Sequence, residues 1–189
     1  MLYKRVFDLT CCLIALPVYG PVIVAIILAI KWDDGGMIFF RQERIGLRGC
    51  RFCCLKFRTM TEGKVTRVGK WLRLTGLDEL AQILNVLRGE MSVVGPRPLT
   101  RADISRLGWE KHIFRWELPP GLTGLAQIYN GLGARRSLAC DRLYAKKLSL
   151  AMDIYIVFIS FCINIIGKRK VRQLWFVRHD REKVLKFGD

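Results

Sequence analysis

Acidic side chains are scarce in this chain: 16 Asp and Glu stand against 32 Lys and Arg, a formal net charge of +16. That imbalance argues against a cationic partner and for an anionic one: nucleic acid, a negatively charged membrane surface or a phosphorylated substrate. Histidine is scarcer still, with only His112 and His179. The seven cysteines, at positions 11, 12, 50, 53, 54, 140 and 162, form no paired framework, and two lie in the most apolar segment, so a reduced, cytosolic setting fits best. Cys50-Arg51-Phe52-Cys53 has the spacing of half a zinc site, but no second knuckle accompanies it and Cys140, His112 and His179 are remote. These cysteines read as small buried hydrophobes. Internal repeats and low-complexity tracts are absent. The run from Gly63 to Trp71 superficially resembles a phosphate loop, yet the spacing of Gly63 and Gly69 is wrong and Trp71 stands where Ser or Thr is required.

What is present is segregated. Of 189 residues, 51% are apolar, an unusual share beside so much charge, and long uncharged stretches alternate with basic ones. This length suits one domain with a single modest core, and the segregation favours a membrane surface over a soluble nucleic-acid module. Leu9 to Ile30 is 22 positions without a charge. A straight helix of that length covers about 33 Å, enough for a bilayer core of about 30 Å. Pro17 and Pro21 sit near its middle, each removing a backbone hydrogen bond, so a sharp bend is expected and each half is too short to span. The segment therefore reads as a re-entrant membrane helix, with Trp32 at headgroup level. The alternative, a kinked single span, would put Lys4 and Arg5 on the side opposite the basic remainder, which the positive-inside tendency disfavours.

Met37 to Gly46 and Cys50 to Met60 mix aromatic and basic residues as short strands or membrane-facing segments do, and a polar link from Thr61 to Thr66 follows. From Thr75 the spacing of Leu77, Leu80, Leu84 and Leu87 predicts a helix that stops at Gly89, with Thr75 as N-cap and Asp78 at its third position. A short strand from Met91 to Val94 ends at Gly95-Pro96-Arg97-Pro98. Ile104 to Trp116 reads as a helix, Pro119 to Gly124 as an irregular loop, and Ser149 to Ile166 as an apolar helix too short to cross a bilayer. The fold class expected is α+β and mainly helical: a membrane-associated single domain with an N-terminal re-entrant membrane helix, short strands and amphipathic interfacial helices. Its parts are a membrane helix over 1–32, a catalytic domain over 33–170 and a basic tail over 171–189.

Asp78 and Glu79 are the acids that most need a reason. Adjacent helical residues point about 100° apart, so they are not a facing acid pair of the glycosidase kind. In a first turn, backbone N–H groups and the helix dipole would keep Asp78 ionised. An ionised carboxylate beside a divalent cation and arginines is a competent nucleophile toward phosphorus. Arg73, Arg88 and Arg97 lie near in sequence, and Arg97, held between Pro96 and Pro98, is presented on stiff backbone with a guanidinium suited to bidentate phosphate contact.

The stretch LDELAQILNVLRGEMSVVGPRPL resembles the signature of the bacterial sugar transferase family, the monotopic phosphoglycosyl transferases. The resemblance extends through KRVFDL, FFRQERIG, LKFRTM, TRVGKWLR, PGLTGLAQ and LAMDIYI, nearly the whole chain to about Ile166. It implies an enzyme of a bacterial inner membrane, on the cytoplasmic face, that moves a sugar-1-phosphate from a UDP-sugar to polyprenol phosphate, with Mg²⁺ required. In that scheme Asp78 is the nucleophile and a metal contact, and Glu79 assists as base or on the metal side. Arg97, with Pro96 and Pro98, binds phosphate and Arg73 supports the dyad. Arg88, Lys56, Arg58 and Gln127 complete the substrate-binding set. The implied partners are the UDP-sugar, the polyprenol phosphate, the bilayer, downstream glycosyltransferases and a second copy of the chain, with no nucleic acid. The chain carries Pro119-Pro120-Gly121 and Asn130-Gly131-Leu132 where the family usually has Arg-Pro-Gly and Asn-Gly-Arg. Two competing readings are a non-catalytic, membrane-anchored basic module and a family member that has lost activity.

Overall fold

The computed structural model describes residues 2–129, 133–167 and 170–171. They fall into two compact units. The first takes the residues up to Arg44 together with Arg51–Met91, and the second takes Ile45–Cys50 and the described residues from Ser92 onward. Neither unit boundary falls at residue 32, so the apolar helix belongs to the same unit as Asp78 and Glu79. The basic tail from Arg172 lies outside the described residues, as do Asn130, Gly131 and Leu132.

In the first unit α1 (Leu2–Asp34) is long and apolar enough to cross a membrane by length and composition. The helix is not interrupted at Pro17 or Pro21. Proline's φ is already helical, so the helix continues through both, and the two lie four residues apart on one exposed face; each still leaves the carbonyl four positions back without its helical donor. Both ends of α1 pack onto the unit. Near its start, the Arg5 guanidinium donates to the carbonyls of Val86 and Leu87, capping the end of a later helix. Near its end, Ile26 and Ile30 join Leu55, Phe57, Leu72 and Ala81 in the core. Between them, Leu13, Ile14, Leu16 and Val18 are exposed.

β1 (Phe39–Ile45) and β2 (Arg51–Phe57) pair as a two-stranded sheet, with Phe39 and Phe57 stacked at 5.6 Å. The link expected from Thr61 to Thr66 contains a small hairpin of β3 (Met60–Thr61) and β4 (Lys64–Val65), turned through Glu62 and Gly63, both at positive φ. α2 (Arg67–Thr75) follows, its first turn capped by Thr66, whose Oγ1 accepts from Gly69 N at 2.9 Å. Gly69 lies so close to the Thr59 backbone that any Cβ there would collide with it.

The helix expected to start at Thr75 is three pieces instead. Thr75 ends α2, where its hydroxyl donates back to the Trp71 carbonyl. Gly76 turns left-handed (φ 72°, ψ 7°), Leu77–Gln82 forms a tight 3₁₀ turn, and α3 spans Ile83–Arg88. Gly76 is the physical reason: a left-handed residue closes a helix at its C-terminus, so Thr75 is the last residue of one helix and not the cap of the next.

In the second unit β5 (Ser92–Val94) pairs in parallel with β6 (Gly121–Thr123), so the stretch read as an irregular loop supplies a strand. Gly95 and Gly121 make this possible, because a side chain on either would strike the other's backbone. α4 (Arg101–Leu107) carries a full capping box between Thr100 and Asp103 and stops at left-handed Gly108, well short of the expected Trp116; only a turn at Ile113–Arg115 follows. The short α5 (Leu125–Ile128), then α6 (Gly133–Lys146) and α7 (Leu150–Ile166) complete the unit. α7 runs where the apolar pattern placed it, capped by Ser149, with Leu150, Ile154, Phe158 and Phe161 exposed and Ile156 and Ile159 buried.

Candidate active site

The 3₁₀ turn that follows Gly76 carries Asp78 and Glu79, and β2 lies beside it. Lys56, on β2, reaches both carboxylates: its Nζ is 2.7 Å from Glu79 Oε1 and 3.9 Å from Asp78 Oδ2. Asp78 is the more enclosed acid, its side chain 17% exposed against 46% for Glu79. Burial pushes the Asp78 carboxyl above its usual range; Lys56 pulls it back, Glu79 pushes it further up, and Arg73 makes a smaller downward contribution. A backbone N–H hydrogen bond also favours the ionised form, but burial outweighs it. A six-residue 3₁₀ turn, in place of a long helix, carries the dyad in its first turn, and Lys56 is the largest of the contributions that oppose the burial of Asp78.

Arg73, on the last turn of α2, is fixed by its Nε donating to Thr59 Oγ1 at 2.9 Å. It also lines an open cavity of about 560 Å³ with Val65, Thr66, Arg67, Lys70 and Leu74, so three cations of one helix border this space. Arg58 is committed elsewhere: its guanidinium binds Asp34, Thr61 and the Met37 carbonyl, tying the end of α1 to the β2–β3 segment. Arg88 is exposed at the end of α3, ten positions beyond Asp78 and so on the order of 15 Å along the helical run. Trp32 is 93% exposed near the end of α1.

The remaining expected residues lie in the second unit. Pro96 and Pro98 are buried while Arg97 between them is exposed. Gln127 sits on α5, with its amide oxygen buried and without a hydrogen-bond partner among the described residues. Thus Asp78, Glu79, Lys56 and Arg73 are gathered in one unit, and the Pro96-Arg97-Pro98 turn and Gln127 in the other.

Asn85 went unnoticed in the sequence and proves central. Fully buried, it accepts from Leu55 N at 2.9 Å and donates to Cys53 O at 2.7 Å and Glu90 Oε2 at 2.6 Å, acting as the strand partner β2 otherwise lacks on that side. It locks β2, and with it Lys56, against the helical run that carries the dyad. A lone amide among Ile83, Leu84, Val86 and Leu87 was the available signal. Arg115 and Asp141, a buried ion pair of the second unit, were missed as well.

In the first unit, then, a carboxylate pair shares one ammonium, and Arg73 is the guanidinium that acts on Asp78. Residues 1–167 match the family described as bacterial sugar transferase, and the chain belongs to it. It is 38% identical over 195 residues to an undecaprenyl-phosphate glucose phosphotransferase of Komagataeibacter xylinus, covering 89% of this chain and 37% of that protein. It is 38% identical over 186 residues to the exopolysaccharide production protein ExoY of Rhizobium meliloti, covering 82% of each. A UDP-glucose:undecaprenyl-phosphate glucose-1-phosphate transferase of Caulobacter vibrioides is 38% identical over 179 residues, 82% of this chain and 67% of that one. The chain thus spans little more than a third of the first of these relatives and most of the second.

Proposed function

We propose that this chain is a phosphoglycosyl transferase that moves a sugar-1-phosphate from a UDP-sugar to undecaprenyl phosphate at a membrane, as the first membrane step of glycan assembly. The observation that carries the reading is the half-buried Asp78, raised by burial and held beside Lys56, within a chain whose relatives are named for this transfer. An Oδ of Asp78 attacks the sugar-linked phosphorus. A P–O bond to aspartate forms as the bond to the bridging oxygen breaks, and that oxygen leaves with UMP. A phosphate oxygen of the polyprenol phosphate then attacks the same phosphorus, expels the carboxylate and takes the sugar phosphate as a diphosphate-linked product. Neither step needs an external oxidant or a proton from water. Lys56 offsets the charge of both carboxylates, Glu79 assists at the dyad, and Arg73 and Arg97 bind phosphoryl oxygens.

Mg²⁺ fits the donor set. Two adjacent carboxylates are what this ion takes from a protein when substrate phosphates supply the rest of its shell, and no cluster of three such ligands, of the kind an all-protein site would need, occurs among the described residues. Asp78 and Glu79 would hold it, and when bound it would neutralise diphosphate charge.

The membrane reading is re-entrant, on the cytoplasmic face of the inner membrane. Its support is that Arg5 at one end of α1 and Ile30 near the other pack on the same unit, while the apolar middle is exposed. A bilayer crossed by α1 would separate those two contacts. Downstream glycosyltransferases and a second copy of the chain are the protein partners this role implies. The basic-module alternative explains the charge but not a lysine shared by the half-buried Asp78 and its neighbour Glu79. The purified protein, given UDP-glucose, UDP-galactose or UDP-N-acetylgalactosamine with undecaprenyl phosphate and Mg²⁺, should release UMP with at least one of them. No UMP from any of them, in a protein that binds anionic vesicles, would favour the binding module.

A further inference from the structure

The Gly95–Pro98 turn is held at its first residue, where Gly95 N donates to Thr123 O at 2.9 Å. Positions 96 and 98 lack an N–H, so donors elsewhere can fix it only through its carbonyls. Two are taken: Gly121 N donates to Pro96 O at 2.9 Å, and Arg115 Nη2 donates to Arg97 O at 2.9 Å. Arg115 is 4% exposed and Asp141, which accepts from its Nη1, is 2% exposed. The Trp109 ring lies 4.8 Å from the guanidinium. Burial pushes this arginine down to about 10, which leaves it ionised at neutral pH.

A buried ion pair is an expensive way to hold a core, since apolar side chains of the same volume do at least as well. What this pair reaches is the backbone of Arg97. α6 supplies a second hold: Tyr144, three residues beyond Asp141, has its hydroxyl 2.5 Å from Asp153 Oδ1 and 3.3 Å from Val94 O. One face of α6 therefore governs carbonyls on both sides of Gly95-Pro96. The Arg97 side chain leaves this fixed turn outward, between two buried prolines.

We infer that Arg115, oriented by Asp141, is a positioning residue for Arg97, setting the direction in which that exposed guanidinium meets a phosphoryl oxygen. This rests on the reading in which Arg97 binds phosphate. The test measures kcat and KM for UMP release, with the UDP-sugar that supports turnover, alongside Tm. The double change Arg115→Met, Asp141→Leu replaces the pair with apolar residues, so Tm should hold while kcat/KM falls roughly tenfold, chiefly through KM. Arg97→Lys should cost a similar factor, and combining it with the double change should cost little more, because both remove one function. If the double variant misfolds, Arg115→Lys, which keeps the charge but lacks the fork, should show the same kinetic loss and the same non-additivity. Parental kinetics in a folded Arg115 variant, or losses that multiply when combined with Arg97→Lys, would overturn the inference while leaving Arg97 as the phosphate ligand. An Arg97→Lys enzyme with unchanged kinetics would defeat the phosphate reading itself, and the inference with it.

Discussion

Asp78 binds its proton more tightly in the folded chain than in the unfolded one, because burial disfavours its charge. Ionising it therefore costs stability as pH rises from the ordinary aspartate range, near about 4, up through the raised value of the folded chain. Asp78→Asn should accordingly leave Tm at pH 7 equal to or above that of the parent while abolishing turnover, with any advantage fading below about pH 4. A lower Tm at pH 7 would show that contacts of the ionised carboxylate, Lys56 foremost, outweigh its burial. The same reasoning places the acid limb of the pH–rate profile above the usual carboxylate range. Lys56→Met, which deletes the main group opposing burial, should move that limb to higher pH; an unmoved limb would assign it to another group.

Among the elements, β2 and α3 depend on a single side chain. Asn85→Ala leaves the Leu55 N–H and Cys53 carbonyl unpaired in a buried place, a loss of about 2–4 kcal/mol that should lower Tm by roughly 5–15 °C. Activity should fall further than stability explains, because Lys56 loses its fixed distance to the dyad. Thermal melts and UMP release measured on the same preparation check both. The α1 prolines raise a different question, since the helix continues through them. Under the re-entrant reading, Pro17→Ala with Pro21→Ala favours a straight helix. A cysteine placed at Tyr3, with exposed native cysteines replaced, should then become accessible to an impermeant maleimide outside spheroplasts. In the parent it should stay protected until the membrane is opened. Outside labelling of the parent would mean a span.

Across the whole molecule, what was legible in the sequence was what periodicity and composition carry. The charge-free run became α1, the mixed aromatic and basic stretches became β1 and β2, and the apolar run capped by Ser149 became α7. The dyad stood out because acids are rare. What escaped depended on left-handed glycines or on partners distant in sequence: left-handed Gly76 splits the expected helix and left-handed Gly108 shortens α4, while the close approach of Gly121 to the Gly95 backbone lets a loop become a parallel strand. Asn85 and the Arg115–Asp141 pair were invisible because their roles lie in backbone groups 32 and 18 positions away, which no local pattern encodes. The central claim, that Asp78 carries the sugar phosphate covalently, has a direct test in intact-mass analysis of the protein mixed with its UDP-sugar and Mg²⁺ in the absence of polyprenol phosphate. One phosphosugar adduct, of the mass of the sugar phosphate supplied, released when undecaprenyl phosphate is added and missing in Asp78→Asn, is the result expected. An unmodified mass, with UMP appearing only when both substrates are present, would contradict it.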